Sequence, residues 1–185
     1  MMKSFLIVMI AACSIAALKY RLLSDGITKV PKDAAFFDKQ YRGKYKVSLP
    51  EGADTIALYA ERYYVDFEGK LFEKGKEREG ELLGVYRFYP NGCVNEFIIA
   101  NNELERMPTL DPEVRGYRGV SFVKKGERVL DMAVPINELR HLGVKSLKIE
   151  IKGDTLIVVD SRSRSKNLYI KVKNKQLQSG YKADW

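Results

Sequence analysis

From residue 41 onward the chain runs in short segments that alternate apolar and polar residues, separated by Gly, Asn, Asp and Pro. A period of two is the signature of a half-buried strand. It predicts strands at 41–48, 63–67, 70–74, 82–89, 93–100, 117–124, 128–134, 145–152, 155–160 and 167–173. IALYAERYYVDF (56–67) reads two ways, because Ile56, Tyr59, Ala60, Tyr63, Tyr64 and Phe67 also fall at helical spacing. A helix running into a strand is the expectation there. PINELRHLG (135–143) predicts a short helix, with Pro135 near its start and Gly143 at its cap. A further short turn of helix is expected around 32–39, inside a linker.

Three hairpins can be registered by pairing. A two-residue Gly153-Asp154 loop sets Ile151 opposite Leu156 and Ile149 opposite Val158, leaving one face apolar. A Lys125-Gly126 loop sets Lys124 against Glu127 and Phe122 against Val129. In VYRFYPNGCVNEFI an Asn91-Gly92 loop places Arg87 opposite Glu96 and Tyr86 opposite Phe97. A three-residue Pro-Asn-Gly loop would instead put Glu96 opposite Tyr86 and lose the ion pair, so the two-residue register is expected. Eight or more antiparallel strands joined by tight hairpins favour closure, which removes exposed edges. The fold class is therefore all-β, an antiparallel up-and-down barrel with one short helix.

The N-terminus breaks this pattern. Phe5 to Leu18 is apolar apart from Ser14, with Lys3 before it and Lys19 and Arg21 after it. That is short for a membrane helix and suits the core of a signal peptide. The expected organisation is a signal peptide or membrane anchor at 1–18, a linker at 19–40, a barrel domain at 41–175 and a tail at 176–185.

Composition narrows the chemistry. The chain has 185 residues, a formal charge of +8, one histidine and two cysteines. One histidine excludes a multi-histidine metal site, and a Ser–His–acid arrangement would have to use His141. His141 lies near the end of the expected helix, where an imidazolium is simply favourable. Neither a glycine-rich phosphate loop nor a Cys-x-x-Cys pair is present. No cofactor, no metal and no catalysis are expected. Glu61, Asp66 and Glu68 sit among aromatics, and a carboxylate hydrolase would need two acids converging in one cleft. Charged residues from Arg162 to Lys182 are all basic, which suits an anionic partner or a merely solvated strand and tail. SRSRS (161–165) falls between two strands and reads as a turn, so no nucleic-acid partner is expected. Cys93 reads as a small buried hydrophobe on the face of Tyr86, Phe88 and Phe97.

Two resemblances follow. Ile10-Ala11-Ala12-Cys13 resembles the bacterial lipobox, which implies a lipid anchor on Cys13; Ser14 after it resembles lipoproteins sent to the outer membrane. An uncleaved anchor helix in the inner membrane, or an ordinary signal cut after Ala17, are the alternatives. YRGKYKVS, YRFYPNGCVNEF and the pair GDTLIVVD with NLYIKVK together resemble a lipocalin-like (calycin) barrel of Gram-negative envelope lipoproteins. Lipocalins mark their first strand with Gly-x-Trp beneath a basic residue of the last strand. Gly43-Lys44-Tyr45 stands in that place, with Lys171 or Lys173 as the implied cation. The resemblance implies a barrel holding a small apolar or amphipathic ligand against Tyr86, Phe88, Phe97, Ile149 and Val158. The other reading of that apolar face, with Ile151, is a solid core in a structural or interaction module with a basic C-terminal surface.

Overall fold

The computed structural model describes residues 20–32, 36–37, 44–75, 80–103, 110–136, 141–173, 183 and 185. Strands β1 (Tyr20–Leu22) and β2 (Lys29–Pro31) form a small separate hairpin. The main sheet contains β3 (Ala57–Val65), β4 (Leu71–Glu73), β5 (Leu82–Phe88), β6 (Cys93–Ala100), β7 (Tyr117–Lys124) and β8 (Glu127–Ile136). It continues through β9 (His141–Lys152), β10 (Thr155–Val159) and β11 (Lys166–Lys173). Neighbours are antiparallel, and β11 returns to pair with β3 from Lys166↔Val65 to Lys173↔Ala57. Eight strands thus close a barrel, and the short β4 flanks β3 beside it. This architecture is consistent with the lipocalin-like resemblance.

Alternate residues of each strand point inward. The inner cluster joins Tyr59, Tyr86, Phe88, Val94, Leu130, Met132, Leu147, Ile149, Leu156, Val158 and Tyr169. Two further clusters lie on the outside of the wall. One contains Leu58, Ala60, Leu83, Val85, Phe97, Ile99 and Leu110. The other holds Tyr89, Cys93, Val120, Phe122 and Val129 with Phe37, Ala183 and Trp185. Covering segments therefore bury much of the outer wall as well, and strands buried on both faces read as nearly continuous apolar runs.

Several expectations are corrected. Segment 56–67 contains no helix: β3 is a strand from Ala57 to Val65. Its pairing with β11 shifts at Leu168/Tyr169, so that Tyr63 and Glu61 face consecutive partners. That bulge breaks the period of two and mimics helical spacing. The helix expected at 135–143 is replaced by the end of a long hairpin, with Pro135 opposite Leu142 and Ile136 opposite His141. Local helix signals there lose to a ladder that runs unbroken from Val129↔Lys148. Among the described residues the helical elements are a 3-10 turn at Asn101–Glu103 and helical backbone at Phe36 and Phe37. The remainder of the helix expected at 32–39, apart from Lys32, lies outside the described residues.

The third correction is the register of β5 against β6. The Gly153-Asp154 and Lys125-Gly126 hairpins pair as expected. At the Asn91-Gly92 turn, however, Tyr86 lies opposite Glu96, Arg87 opposite Asn95 and Phe88 opposite Val94. The loop has three residues, closed by Tyr89 N–H to Cys93 O at 3.0 Å, with Gly92 at a φ of 86°. Pro90 carries no N–H, and a left-handed Gly in third place is the geometry such a loop requires. A surface Arg–Glu pair contributes only about 0.2–1 kcal/mol, too little to oppose that geometry.

The expected first strand at 41–48 is reduced, over its described part, to a single bridge between Val47 and Phe122. Tyr45 stacks on Phe122 outside the wall, with ring centroids 5.1 Å apart. Lys44 and Lys124 each lie 5.8 Å from its ring. The cation near the Gly-x-Tyr position thus comes from β7 rather than from β11. Lys171 is held instead by Asp154 at 2.5 Å, and Lys173 is exposed.

Candidate ligand cavity

The two ends of the barrel differ. At one end Tyr59 packs edge-on against Phe88, with centroids 5.7 Å apart, and Leu49 and Ala53 press on the same cluster. The Tyr59 hydroxyl accepts the Asp54 N–H at 3.0 Å, so the loop before β3 plugs this end. At the other end the interior opens into a cavity of about 290 Å³. Its walls come from inward positions: Glu61 and Tyr64 of β3, Tyr86 of β5, Glu96 of β6, Val158 of β10 and Tyr169 of β11. Met132 and Leu147 form its apolar side. Gly84 helps keep it open, since a Cβ there would sit 3.3 Å from the Tyr169 hydroxyl and 3.6 Å from Glu61 Oε2.

The polar groups are ordered. The Gly84 N–H donates to Glu61 Oε2 at 3.2 Å. The Tyr86 hydroxyl is hydrogen-bonded with Glu96 and with Tyr169, and the two tyrosine rings meet edge to face at 4.9 Å. Burial pushes the Glu61 carboxyl above its ordinary range, and the Gly84 N–H and Lys74 pull it back only in part. Burial likewise raises Glu96; Tyr86 and Lys145 oppose this, and the Glu61 charge adds to it. Both phenols are driven well above the usual tyrosine range by desolvation, with the carboxylates reinforcing the shift. The basic groups at the mouth are already engaged, Lys74 with Glu81 at 3.4 Å and Lys145 with Asp160 at 3.2 Å.

Of the residues expected to touch a ligand, Tyr86 and Val158 line this cavity. Phe88 is inside the barrel, in its packed half, and Ile149 belongs to the same inner cluster but lines a second, more open hollow of about 500 Å³ with Pro50, Gly52, Arg128 and Ile151. Phe97 is not inside: it belongs to the outer cluster with Leu58, Val85 and Ile99, because the true register turns it outward. The same one-residue difference brings Glu96 inward beside Tyr86, where pairing had assigned it to Arg87. Tyr64, Lys145 and Tyr169 also line the cavity, and no sequence signal marks them as site residues. A three-residue reading of Pro90-Asn91-Gly92 would have placed Glu96 correctly.

Other singled-out residues are dispersed. Asp66 and Glu68 lie in the turn between β3 and β4, with Asp66 Oδ1 accepting the N–H groups of Glu68 and Lys70 at 2.9 Å each. SRSRS is a turn, fastened by Asp160 N–H to Ser165 O and Arg164 N–H to Asp160 O. His141 opens β9. Cys93 is a buried free thiol, but it packs on the outer wall, where its Sγ meets the Trp185 backbone oxygen at 2.9 Å. The tail is not simply solvated, since Ala183 and Trp185 are buried. Cys13 and the run around it lie outside the described residues. Among the described residues no helix is long and apolar enough to cross a membrane, and no group of three metal-ligating side chains converges. Comparison with protein-family models, curated proteins and solved structures finds no match to this chain.

Proposed function

We propose that this protein is a membrane-tethered binding barrel of the bacterial envelope that holds a small amphipathic molecule in the open half of its interior. The observation that carries the reading is the cavity of about 290 Å³ inside a closed barrel, walled by inward residues of its strands. A module working only through its surface has no need of an interior left unfilled, because cavities cost stability. The lining combines an apolar side at Met132, Leu147 and Val158 with the carboxyls and phenols opposite, which fits an amphipathic ligand better than a purely apolar one. The reading assigns the barrel to binding and not to catalysis.

Titration with N-phenyl-1-naphthylamine, a neutral fluorescent probe of suitable size, tests it. Saturable one-site binding is expected, weakened at least about tenfold by Asn167→Trp, which fills the cavity mouth. Binding that ignores this substitution, or no saturable binding, would sink the reading in favour of a structural module.

The tether is the second part of the proposal, and the Ile10-Ala11-Ala12-Cys13 motif supports it. Membrane-extracted protein is expected to show an intact mass for a chain starting at Cys13 plus acyl groups, with Cys13→Ala left unprocessed. The mass of the whole unmodified chain would instead indicate an uncleaved anchor.

A further inference from the structure

We propose that the cavity selects an organic cation, a small molecule with an aryl or alkyl body and a protonated amine, whose ammonium sits between Glu61 and Glu96. This rests on the ligand-binding reading above and names the chemistry of the ligand.

The argument starts from charge and geometry. Glu61 on β3 and Glu96 on β6 reach the cavity from two sides, and between them stand the paired phenols of Tyr86 and Tyr169. Neither glutamate is in an ion pair among the described residues, while Lys74 and Lys145 are occupied by Glu81 and Asp160. Lys74 and Lys145 act on Glu61 and Glu96 only from a distance and are shared with Glu81 and Asp160, so four carboxyls face two lysines here and the balance is acidic. Glu61 is 9% exposed, and among the described residues the Gly84 N–H is the one backbone donor it receives. Carboxylates removed from water at this depth are costly unless paired and hydrogen-bonded.

An ammonium answers that deficit directly. It supplies up to three donors and a positive charge, and charge-assisted hydrogen bonds are about twice as strong as neutral ones. Tyr64 and Tyr86 present ring faces or edges at the same site, and an aromatic face attracts a cation further. Met132, Leu147 and Val158 then cover the apolar body. A carboxylate ligand would meet like charge, and a neutral ligand would leave both acids unpaired.

The direction of pH dependence follows. Both carboxyls are held above their ordinary range by burial, and the amine competes with protons for them. Affinity is therefore full above that raised range and falls as pH drops through it. Lys74, Lys145, Asp160 and the two phenols face the same space; burial drives the phenols further above their usual range, and the hydrogen bond donated by Arg162 N–H holds Asp160 low. The glutamates are the groups that titrate.

Calorimetry with three matched probes separates the outcomes: tryptamine (cation), indole-3-propionate (anion) and 3-ethylindole (neutral). Tryptamine is expected to bind at least about tenfold tighter than the other two. Glu61→Gln and Glu96→Gln should each weaken it about tenfold while leaving 3-ethylindole within about twofold. Acidification should weaken tryptamine alone. Each variant's thermal midpoint should equal or exceed the wild type's above neutral pH, since a buried charge has been removed, which controls for misfolding. Equal binding of tryptamine and 3-ethylindole would overturn the cation assignment and leave the binding barrel standing, as would preference for the propionate. No binding by any of the three would overturn both.

Discussion

Trp185→Ala is expected to destabilise the protein by about 3–5 kcal/mol, the usual effect of removing a buried tryptophan. Trp185 is 4% exposed, and Tyr89, Arg118 and Gly119, which it meets, lie far earlier in the chain. Its indole N–H donates to Gly119 O at 3.0 Å. Tyr89 meets the ring edge-on at 5.5 Å, and the Arg118 guanidinium lies 4.5 Å from its centroid. Asn91 Nδ2 fastens the same segment through Ala183 O at 2.7 Å. The tail thus covers the outer wall over β6 and β7, where Cys93, Val120 and Arg118 would otherwise meet water. A thermal midpoint lowered by about 10 °C is the expected reading for a domain of this size. Trp185→Phe should cost less than the alanine change, since it keeps one aromatic ring against Tyr89 and Arg118 while losing the N–H bond and the rest of the indole's volume. Cys93 offers a second readout, because Trp185→Ala should expose it to thiol reagents in the folded state. A midpoint within about 1 kcal/mol of wild type, with Cys93 still protected, would mean the tail contributes no packing.

Gly92→Ala is expected to cost at least about 3 kcal/mol, through two effects that add. Gly92 holds a φ of 86°, which an L side chain adopts only with strain. A Cβ there would also lie 2.6 Å from the backbone N and C of Ser48. Backbone cannot swing aside as a side chain can. Ser48 is moreover tied in place, donating to Ser121 O at 3.0 Å and receiving Arg128 Nη1 on its hydroxyl at 2.8 Å. Ser121 N–H in turn bonds Gly92 O at 2.9 Å. Gly92 is therefore the point where the β5–β6 hairpin, the segment leading to the plug, and β7 meet. Gly126→Ala is the matched control: its φ of 80° is similar, yet nothing lies within 4 Å of its Cβ. Urea unfolding should give Gly126→Ala only the conformational cost, about 1 kcal/mol. Equal losses in the two variants would show that the contact with Ser48 carries no weight.

These contacts relate stability to the cavity. The plug at Leu49 and Ala53 closes one end of the barrel, and Gly92 helps hold the segment that delivers it. The half occupied by Tyr59, Phe88 and Leu156 is packed, whereas the half near Glu61 and Glu96 is left open and charged. Stabilising packing and the proposed binding chemistry thus occupy opposite ends of one interior.

Much of the fold was legible before any coordinates. The strands between 82 and 173, apart from the ends of β8 and β9 that read as a helix at 135–143, follow from alternation and turn residues, because a period of two and a Gly or Asn at a tight turn are local facts. Two of three hairpin registers follow too, since Lys124 against Glu127 and Ile151 against Leu156 lie next to their turns. Barrel closure was inferable from the number of antiparallel hairpins and the tendency of sheets to eliminate edges.

The cavity was legible only in part. In the sequence Glu61 stands out as an acid among aromatics and Tyr86 and Val158 as inward residues, whereas nothing marks Glu96 or Tyr169 as partners in the same interior. The error at Pro90-Asn91-Gly92 shows why: a slip of one residue exchanges the faces of a whole strand, taking Phe97 outward and Glu96 inward. Pairing energies near 1 kcal/mol do not decide such a register; loop geometry and the fit of the closed wall do. The tail is the clearest case of the same division. Nothing local in the last residues marks Trp185 as buried, since its partners Tyr89, Arg118 and Gly119 come from strands far earlier in the chain. Strand content, turns and closure are set by neighbours along the chain and can be read there. Which acids share the interior and what covers the outer wall depend on contacts across the closed sheet, which no local pattern encodes.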